Sequence, residues 1–227
     1  MDQSKQSINT KATGIMEANR SDTATRILDV SERLFVEHGF EATSLRMITQ
    51  QASVNLAAVN YHFGSKDALF ESVFSRRLGP WVAGCLAELD VEESKGAPPS
   101  VEAVVMTYVR PALALSKDPA RGGVMFVRLF SRVLVENHRQ LRETISQQHS
   151  EFVTRYGKAF GRALPQLTSE EVAWRMHLGF SVMFHAFAGN DVLKLFGRSS
   201  TVSARDPDLI VKHLVPFVVA GLTSPAG

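Results

Sequence analysis

The chain is 227 residues long, 44% hydrophobic and 21% charged, with a net charge of +2 at neutral pH, a composition that excludes general disorder and leaves room for a small domain fused to a larger one. Its single cysteine, Cys85, excludes an intrachain disulfide framework and fits a reducing cytoplasm. Residues 1–20 lack the apolar core of a secretory signal, and no uncharged apolar run reaches the roughly 18 residues of a membrane span, so a cytoplasmic protein without membrane contact is expected.

Residues 1–21 are polar without apolar periodicity and read as a flexible N-terminal arm, its Lys5, Lys11 and Arg20 either solvated or in loose contact with phosphate. From Asp22 the pattern turns helical. Ile27, Ser31, Leu34 and Phe35 recur at helical spacing, and Gly39 supplies the left-handed residue that ends helices, giving a first helix over about 22–38. Ser44 can cap a short second helix that turns Leu45, Ile48 and Ala52 inward, and Asn55 can cap a third that stops at Gly64. Two short helices joined by so tight a turn, backed by the first, make a helix-turn-helix. Ser65 then caps a long fourth helix with Leu69, Phe70, Val73, Phe74, Leu78, Trp81, Val82 and Leu86 on one broad stripe, and a kink is expected at Gly79-Pro80. After a loop over 90–100, residues 101–116, 124–135, 139–163, 169–190 and 207–222 each read as helices, with a polar loop over 197–207. No alternating β-branched run, repeat or low-complexity block interrupts them, so the chain is expected to be all-α, divided into an arm (1–21), a helix-turn-helix head (22–66) and a larger helical body (67–227).

In the segment 55–63 (NLAAVNYHF), Leu56, Val59 and Phe63 share one helical face and are expected to anchor it on the first two helices. Ala57, Asn60 and Tyr61 lie on the opposite face, the one a major groove would meet. Asn60 carries a donor and an acceptor in one plane, matching the N6/N7 edge of adenine, and Tyr61 can reach a phosphate or a thymine methyl. For His62 a phosphate contact competes with a structural role at the helix end. Lys66 and Arg46 stand in first turns, where the positive end of the helix dipole disfavours a cation unless an anion docks there, and Thr43 and Ser44 offer hydroxyls beside N-terminal amides. Residues 1–66 hold seven Lys/Arg against seven Asp/Glu, so any grip on DNA has to come from locally placed groups, and a solvated surface charge is the alternative for each cation.

The stretch 25–74, with LFVEHGFEATSLRMITQQASVNLAAVNYHFGSKDALFESVF at its centre, resembles the DNA-binding domain of the TetR family. The resemblance implies a fold of about nine helices, a homodimer, and repression that a small molecule relieves by widening the separation of the two heads. It also implies that Arg46, Asn55, Asn60, Tyr61, His62 and Lys66 occupy positions where the family contacts DNA. Ser53 departs from the pattern, because a glycine usually begins the turn; a left-handed conformation there costs serine roughly 1 kcal/mol. A two-fold protein also demands a palindromic double-stranded operator.

Farther along, 124–135 (VMFVRLFSRVLV) and 176–187 (MHLGFSVMFHAF) are apolar nearly all round and must be covered on several sides. Core packing or a dimer interface explains that; the alternative is an apolar effector pocket lined by Met125, Phe126, Leu129, Phe180, Met183 and Phe184. Arg110, Arg128, Arg132 and Arg175 would each need an anionic partner if buried, either a protein carboxylate or the head of an acyl ligand. MFVRLF, the Trp174-Arg175-Met176-His177 run and LVPFVVAGL resemble the fatty-acid-responsive PsrA branch of the same family, which implies a long-chain fatty acid or acyl-CoA as effector and control of lipid-metabolism genes. A response to drugs or aromatic compounds is the other option. The last two helices carry Phe180, Phe184, Phe187, Leu209, Leu214, Phe217 and Val218, enough to build a four-helix interface with a symmetry mate. No metal-ligand spacing, nucleotide-binding glycine pattern or nucleophile–base set converges, so neither catalysis nor a metal or cofactor is expected. A helical lipid carrier that never touches DNA is the remaining rival.

Overall fold

The computed structural model describes residues 3–118, 123–135, 143–144, 146–147, 149–188 and 206–225, with side chains except at 3–21 and 134–135. Nine helices and no strand occur among the described residues: α1 (Gln3–Ala42), α2 (Leu45–Ala52), α3 (Leu56–Phe63), α4 (Lys66–Glu93), α5 (Val101–Ser116), α6 (Val124–Val135), α7 (Ser150–Ala163), α8 (Ser169–Phe187) and α9 (Pro207–Thr223). The all-α expectation holds. The N-terminal part of the helix expected over 139–163, the end of that over 169–190 and the loop over 197–207 fall partly or wholly outside the described residues.

The first helix begins at Gln3 rather than at Asp22. Apolar periodicity marks only a helix that buries a face, whereas 3–21 contains one glycine and no proline and can wind into a helix without one. The path breaks at Gly39 (φ 83°, ψ 172°), as expected of that residue. The chain divides into two compact units, Met1–Ser75 and Arg76–Gly227, with the boundary inside α4.

In the first unit α1 packs on α2 and α3, and α2 on α3. Their apolar positions meet as the periodicity predicts: Ile27, Leu34 and Phe35 of α1, Ile48 of α2, Val59 of α3, and Leu69, Val73 and Phe74 of α4 are buried completely or nearly so. The Phe35 ring meets Phe70 edge-on at 4.7 Å between centroids. Burying side chains of this size stabilises the unit by about 1.5–3 kcal/mol each.

In the second unit α5 packs on α9, α7, α8 and α6, and α8 on α9, α6 and α7. The core is aromatic: Trp81, Tyr108, Phe126, Tyr156, Phe160 and Phe187 are buried. The Tyr156 hydroxyl donates to Thr107 Oγ1 at 2.8 Å, and the Thr107 hydroxyl donates in turn to the Val104 carbonyl at 2.7 Å, so these two buried hydroxyls are satisfied within the core. Cys85 is fully buried, and burial pushes its thiol pKa far above the ordinary range. The helices α4 and α5 run on through Pro80 and Pro111. They pass close to each other there: a Cβ at Gly84 would come into van der Waals contact with the Pro111 Cβ at 3.4 Å.

Candidate nucleic-acid interface

The unit that carries α2 and α3 is fixed by its caps. Ser44 Oγ accepts from the Met47 amide at 3.2 Å, Asn55 Oδ1 from the Ala58 amide at 2.8 Å, and Ser65 Oγ from the Ala68 amide at 3.1 Å. Each side-chain oxygen satisfies an amide that the first turn leaves orphaned. Between the short helices Ser53 adopts φ 52°, ψ 47°, and the Val54 amide closes onto the Thr49 carbonyl at 3.0 Å. The turn therefore has the left-handed geometry that its family-like position requires, with serine in place of glycine. Gly64 ends α3 at φ 78°, and its amide donates to the Asn60 carbonyl at 2.9 Å.

With both ends of α3 held, Val59 is fully buried and Ala57, Asn60 and Tyr61 face outward, Tyr61 at 63% exposure. His62 is half-buried and meets the Tyr61 ring edge-on at 5.2 Å. Leu56 departs from its expected anchoring role, being 51% exposed. It opens an eight-residue helix, one turn outside the contact centred on Val59, and adds apolar surface to the outer side.

The cations sit where the helix termini need an anion. Arg46 is exposed in the first turn of α2. Lys66 opens α4, its ammonium 4.2 Å from the Phe40 ring centroid and 3.4 Å from the Glu41 carbonyl to which it donates. Asp67 follows it, the acidic residue that a first turn favours. Ser44 is exposed, and its hydroxyl proton is still available to a phosphate after the cap bond is made.

Thr43 is the exception. It is fully buried, and its hydroxyl donates to the Gly39 carbonyl at 2.7 Å, with the Leu34 carbonyl 3.1 Å away. The break at Gly39 leaves carbonyls without helical partners, and Thr43 serves these instead of presenting a hydroxyl to DNA.

In the body, the residues expected to line an effector pocket are mostly packed core. Phe126, Leu129, Met183 and Phe184 are buried, and Phe184 stacks on Phe130 at 3.9 Å. Met125 and Phe180 are half-buried. Phe180, with Phe152, reaches the floor of an open groove of about 640 Å³ between α7 and α8, which also presents Lys158 and His177. The Arg175 guanidinium donates to the carbonyls of Leu222 at 2.6 Å, Ser224 at 2.7 Å and Pro225 at 3.1 Å, so a cation closes the negative end of α9. Arg128 donates to the Ala188 carbonyl at the end of α8, and Arg110 pairs with Glu88 at 2.9 Å. Arg132 is half-buried on α6.

The interface residues expected on the last two helices also divide. Phe184, Phe187, Leu214 and Val218 face the chain's own core, whereas Trp174 (61%), Leu178 (56%) and Phe217 (68%) are exposed. The sequence reading missed Trp174 and Leu178 as surface groups; their i, i+4 spacing on α8 was the available signal.

Among the described residues no helix is long and apolar enough to cross a membrane, and no group of His, Cys, Asp or Glu is placed to hold a metal ion.

Comparison with known proteins matches residues 27–73 to the bacterial regulatory proteins of the tetR family, and residues 106–221 to the tetracyclin repressor-like C-terminal domain. The HTH-type transcriptional regulator UidR of Escherichia coli strain K12 is 31% identical over 58 residues, 26% of this chain and 30% of UidR. The HTH-type transcriptional regulator SrpR of Pseudomonas putida is 33% identical over 92 residues, 40% of each chain. The chain thus spans less than half the length of these curated relatives. Two solved structures share the fold. The fatty acid degradation regulator FadR from Bacillus halodurans superposes with a TM-score of 0.61 at 16% identity, covering 89% of this chain and 97% of its own. NalD, the secondary repressor of the MexAB-OprM multidrug efflux pump in Pseudomonas aeruginosa, gives 0.60 at 20% identity, covering 90% and 97%. The C-terminal match alone takes in more than half of the residues, and the chain belongs to the TetR family of bacterial regulatory proteins.

Proposed function

We propose that the protein is a cytoplasmic transcriptional repressor that binds a palindromic DNA operator as a homodimer and is released by a hydrophobic small molecule. The observation that carries this reading is the outward face of α3, where Ala57, Asn60 and Tyr61 stand exposed on a helix fixed at both ends by Asn55 and Gly64. Asn60 reads a base edge, Tyr61 and His62 approach the backbone, and Ser44, Arg46 and Lys66 hold phosphates at the starts of α2 and α4. Asn55 contributes through its amide nitrogen, since its oxygen is committed to the cap. Residues 22–66 form the DNA-reading head and 67–227 the sensing and dimerising body.

Dimerisation uses the outer faces of α8 and α9. Trp174, Leu178 and Phe217 are large apolar groups left exposed there, and a second copy covers them by two-fold symmetry as a four-helix contact. Sedimentation velocity of the parent and of Phe217→Asp tests this: a dimer that becomes a monomer is expected, and an unchanged monomeric parent refutes it.

For the inducer, a long-chain fatty acid or acyl-CoA follows from the PsrA-like segments. All four arginines considered as carboxylate anchors interact within the protein, Arg110 with a carboxylate and Arg128 and Arg175 with backbone carbonyls, which favours a ligand recognised by its apolar part. The decisive experiment is a gel shift with duplex taken from upstream of the protein's own gene, repeated with and without added acyl compounds. Specific retardation that falls with salt supports the repressor, and failure to bind any duplex supports a carrier.

A further inference from the structure

The segment 55–63, which forms α3 and its cap, contains no arginine, lysine, aspartate or glutamate. In the major groove guanine is most commonly recognised by a cationic side chain that donates to O6 and N7, and the cytosine amino group by a carboxylate. The helix therefore lacks the side chains that most commonly read a G·C pair. The cations of the interface, Arg46 and Lys66, stand on other helices, at the starts of α2 and α4. What α3 turns outward instead is the Asn60 amide, matched to the N6/N7 edge of adenine, together with apolar surface.

That apolar surface is concentrated. Leu56 is 51% exposed and Tyr61 63%, and among the described residues of the first unit these are the two large apolar or aromatic side chains left in the open. Single exposed leucines are common on protein surfaces, but here both exposures fall on one eight-residue helix, the one proposed to enter DNA. Helical side chains lean toward the N-terminus. Leu56, the first residue of α3, thus projects from the end at which recognition helices reach base edges, and the small Ala57 beside it permits close approach. Leu56 and Asn60 are four residues apart, on one side of the helix and about 6 Å from each other along its axis.

We infer that Leu56 is a specificity-determining residue that packs on the C5-methyl group of a thymine, and that the half-site entered by α3 is a core of A·T pairs. The inference rests on the proposed repressor reading and deepens it by naming the bases. Leucine has neither donor nor acceptor, so it selects through the apolar group that thymine carries on its major-groove edge. Cytosine in the same place presents an amino donor, which leucine would bury without a partner. Asn60 holds one adenine by its edge, and the thymine under Leu56 lies within about two base pairs of it, since successive pairs are about 3.4 Å apart.

The test begins with duplexes that the full-length protein selects from a random library. The selected sequence is synthesised with each thymine replaced singly by deoxyuridine, which lacks only the C5-methyl group, and affinities are measured by fluorescence anisotropy. The selected half-sites are expected to have A·T cores, and one thymine in each is expected to lose about fourfold in affinity when its methyl is removed, the worth of one buried methyl-sized group. In Leu56→Ala that loss is expected to vanish. At the same position 5-methylcytosine is expected to bind the parent more tightly than cytosine does, and to bind Leu56→Ala no better, a response that a merely structural role of Leu56 would not produce. The proposal is overturned by a parent indifferent to deoxyuridine at every thymine, by a loss that persists undiminished in Leu56→Ala, or by a selected core of G·C pairs. A library that yields no selected duplex overturns the repressor reading as well, so the two failures are distinct.

Discussion

The Lys66 ammonium sits 4.2 Å from the centroid of the Phe40 ring. The ring face attracts the cation without neutralising it, so the charge is held at the start of α4 and remains available to a phosphate. Lys66→Ala is expected to flatten the plot of log affinity against log salt by about one unit, the share of one phosphate contact. Fluorescence anisotropy across a salt series measures it, and an unchanged slope removes Lys66 from the contact set.

Asn60 is the residue on which sequence discrimination is expected to depend. Asn60→Ala should weaken operator binding by about 1–3 kcal/mol and leave nonspecific duplex binding as it was. Competition between operator and scrambled duplex separates the two effects; equal losses on both would make Asn60 a backbone contact.

Ser53 holds φ 52° without being a glycine. Ser53→Gly removes the crowding of its Cβ and is expected to stabilise the first unit by up to about 1 kcal/mol, while Ser53→Val should destabilise it by more. Thermal unfolding of the three proteins gives the order, and a parent more stable than the glycine variant contradicts the strain argument.

Arg175 joins the end of α9 to α8 through three backbone carbonyls. Arg175→Ala is expected to lower stability by about 1–3 kcal/mol. Denaturant melts of the protein alone reveal this. Unaltered stability combined with lost effector response would return Arg175 to the list of ligand contacts.

Glu93 predicts an acid sensitivity. Burial raises the pKa of its carboxyl, but hydrogen bonds from Arg155 at 2.5 Å and Arg162 at 2.6 Å outweigh burial and hold the group below the ordinary glutamate range. A depressed folded-state pKa contributes stability that is complete above the unfolded value, about 4.3, and lost as pH falls through the folded one. Melting temperatures between neutral pH and about pH 3 should therefore fall less steeply for Glu93→Gln than for the parent.

The features legible in the sequence were local ones. Ser44, Asn55 and Ser65 cap helices through amides three residues away, and Gly39, Ser53 and Gly64 take the positive φ that their places between helices require, so short-range chemistry located α2 and α3. The same logic misplaced Thr43, because its hydroxyl turns back onto the Gly39 and Leu34 carbonyls at a break in the helix path, which residue spacing does not reveal. Arg175 was opaque for a stronger version of that reason, its acceptors lying 47 to 50 residues onward. On α8, apolar side chains point in nearly every direction, so the pattern carries no phase to tell buried Met183 and Phe184 from exposed Trp174 and Leu178. The start of α1 was hidden for the converse reason, since 3–21 carries no apolar stripe at all.

Cys85, sealed within the second unit and held in its neutral thiol form, should be inert toward maleimides and nitroxide reagents while the fold is intact. The native chain is in that sense a blank background for site-directed labelling. A single cysteine introduced on the exposed side of α3 could carry a spin label without competition from Cys85, and the label-to-label distance in a dimer, read with and without an inducer, would show directly how far the two reading helices part.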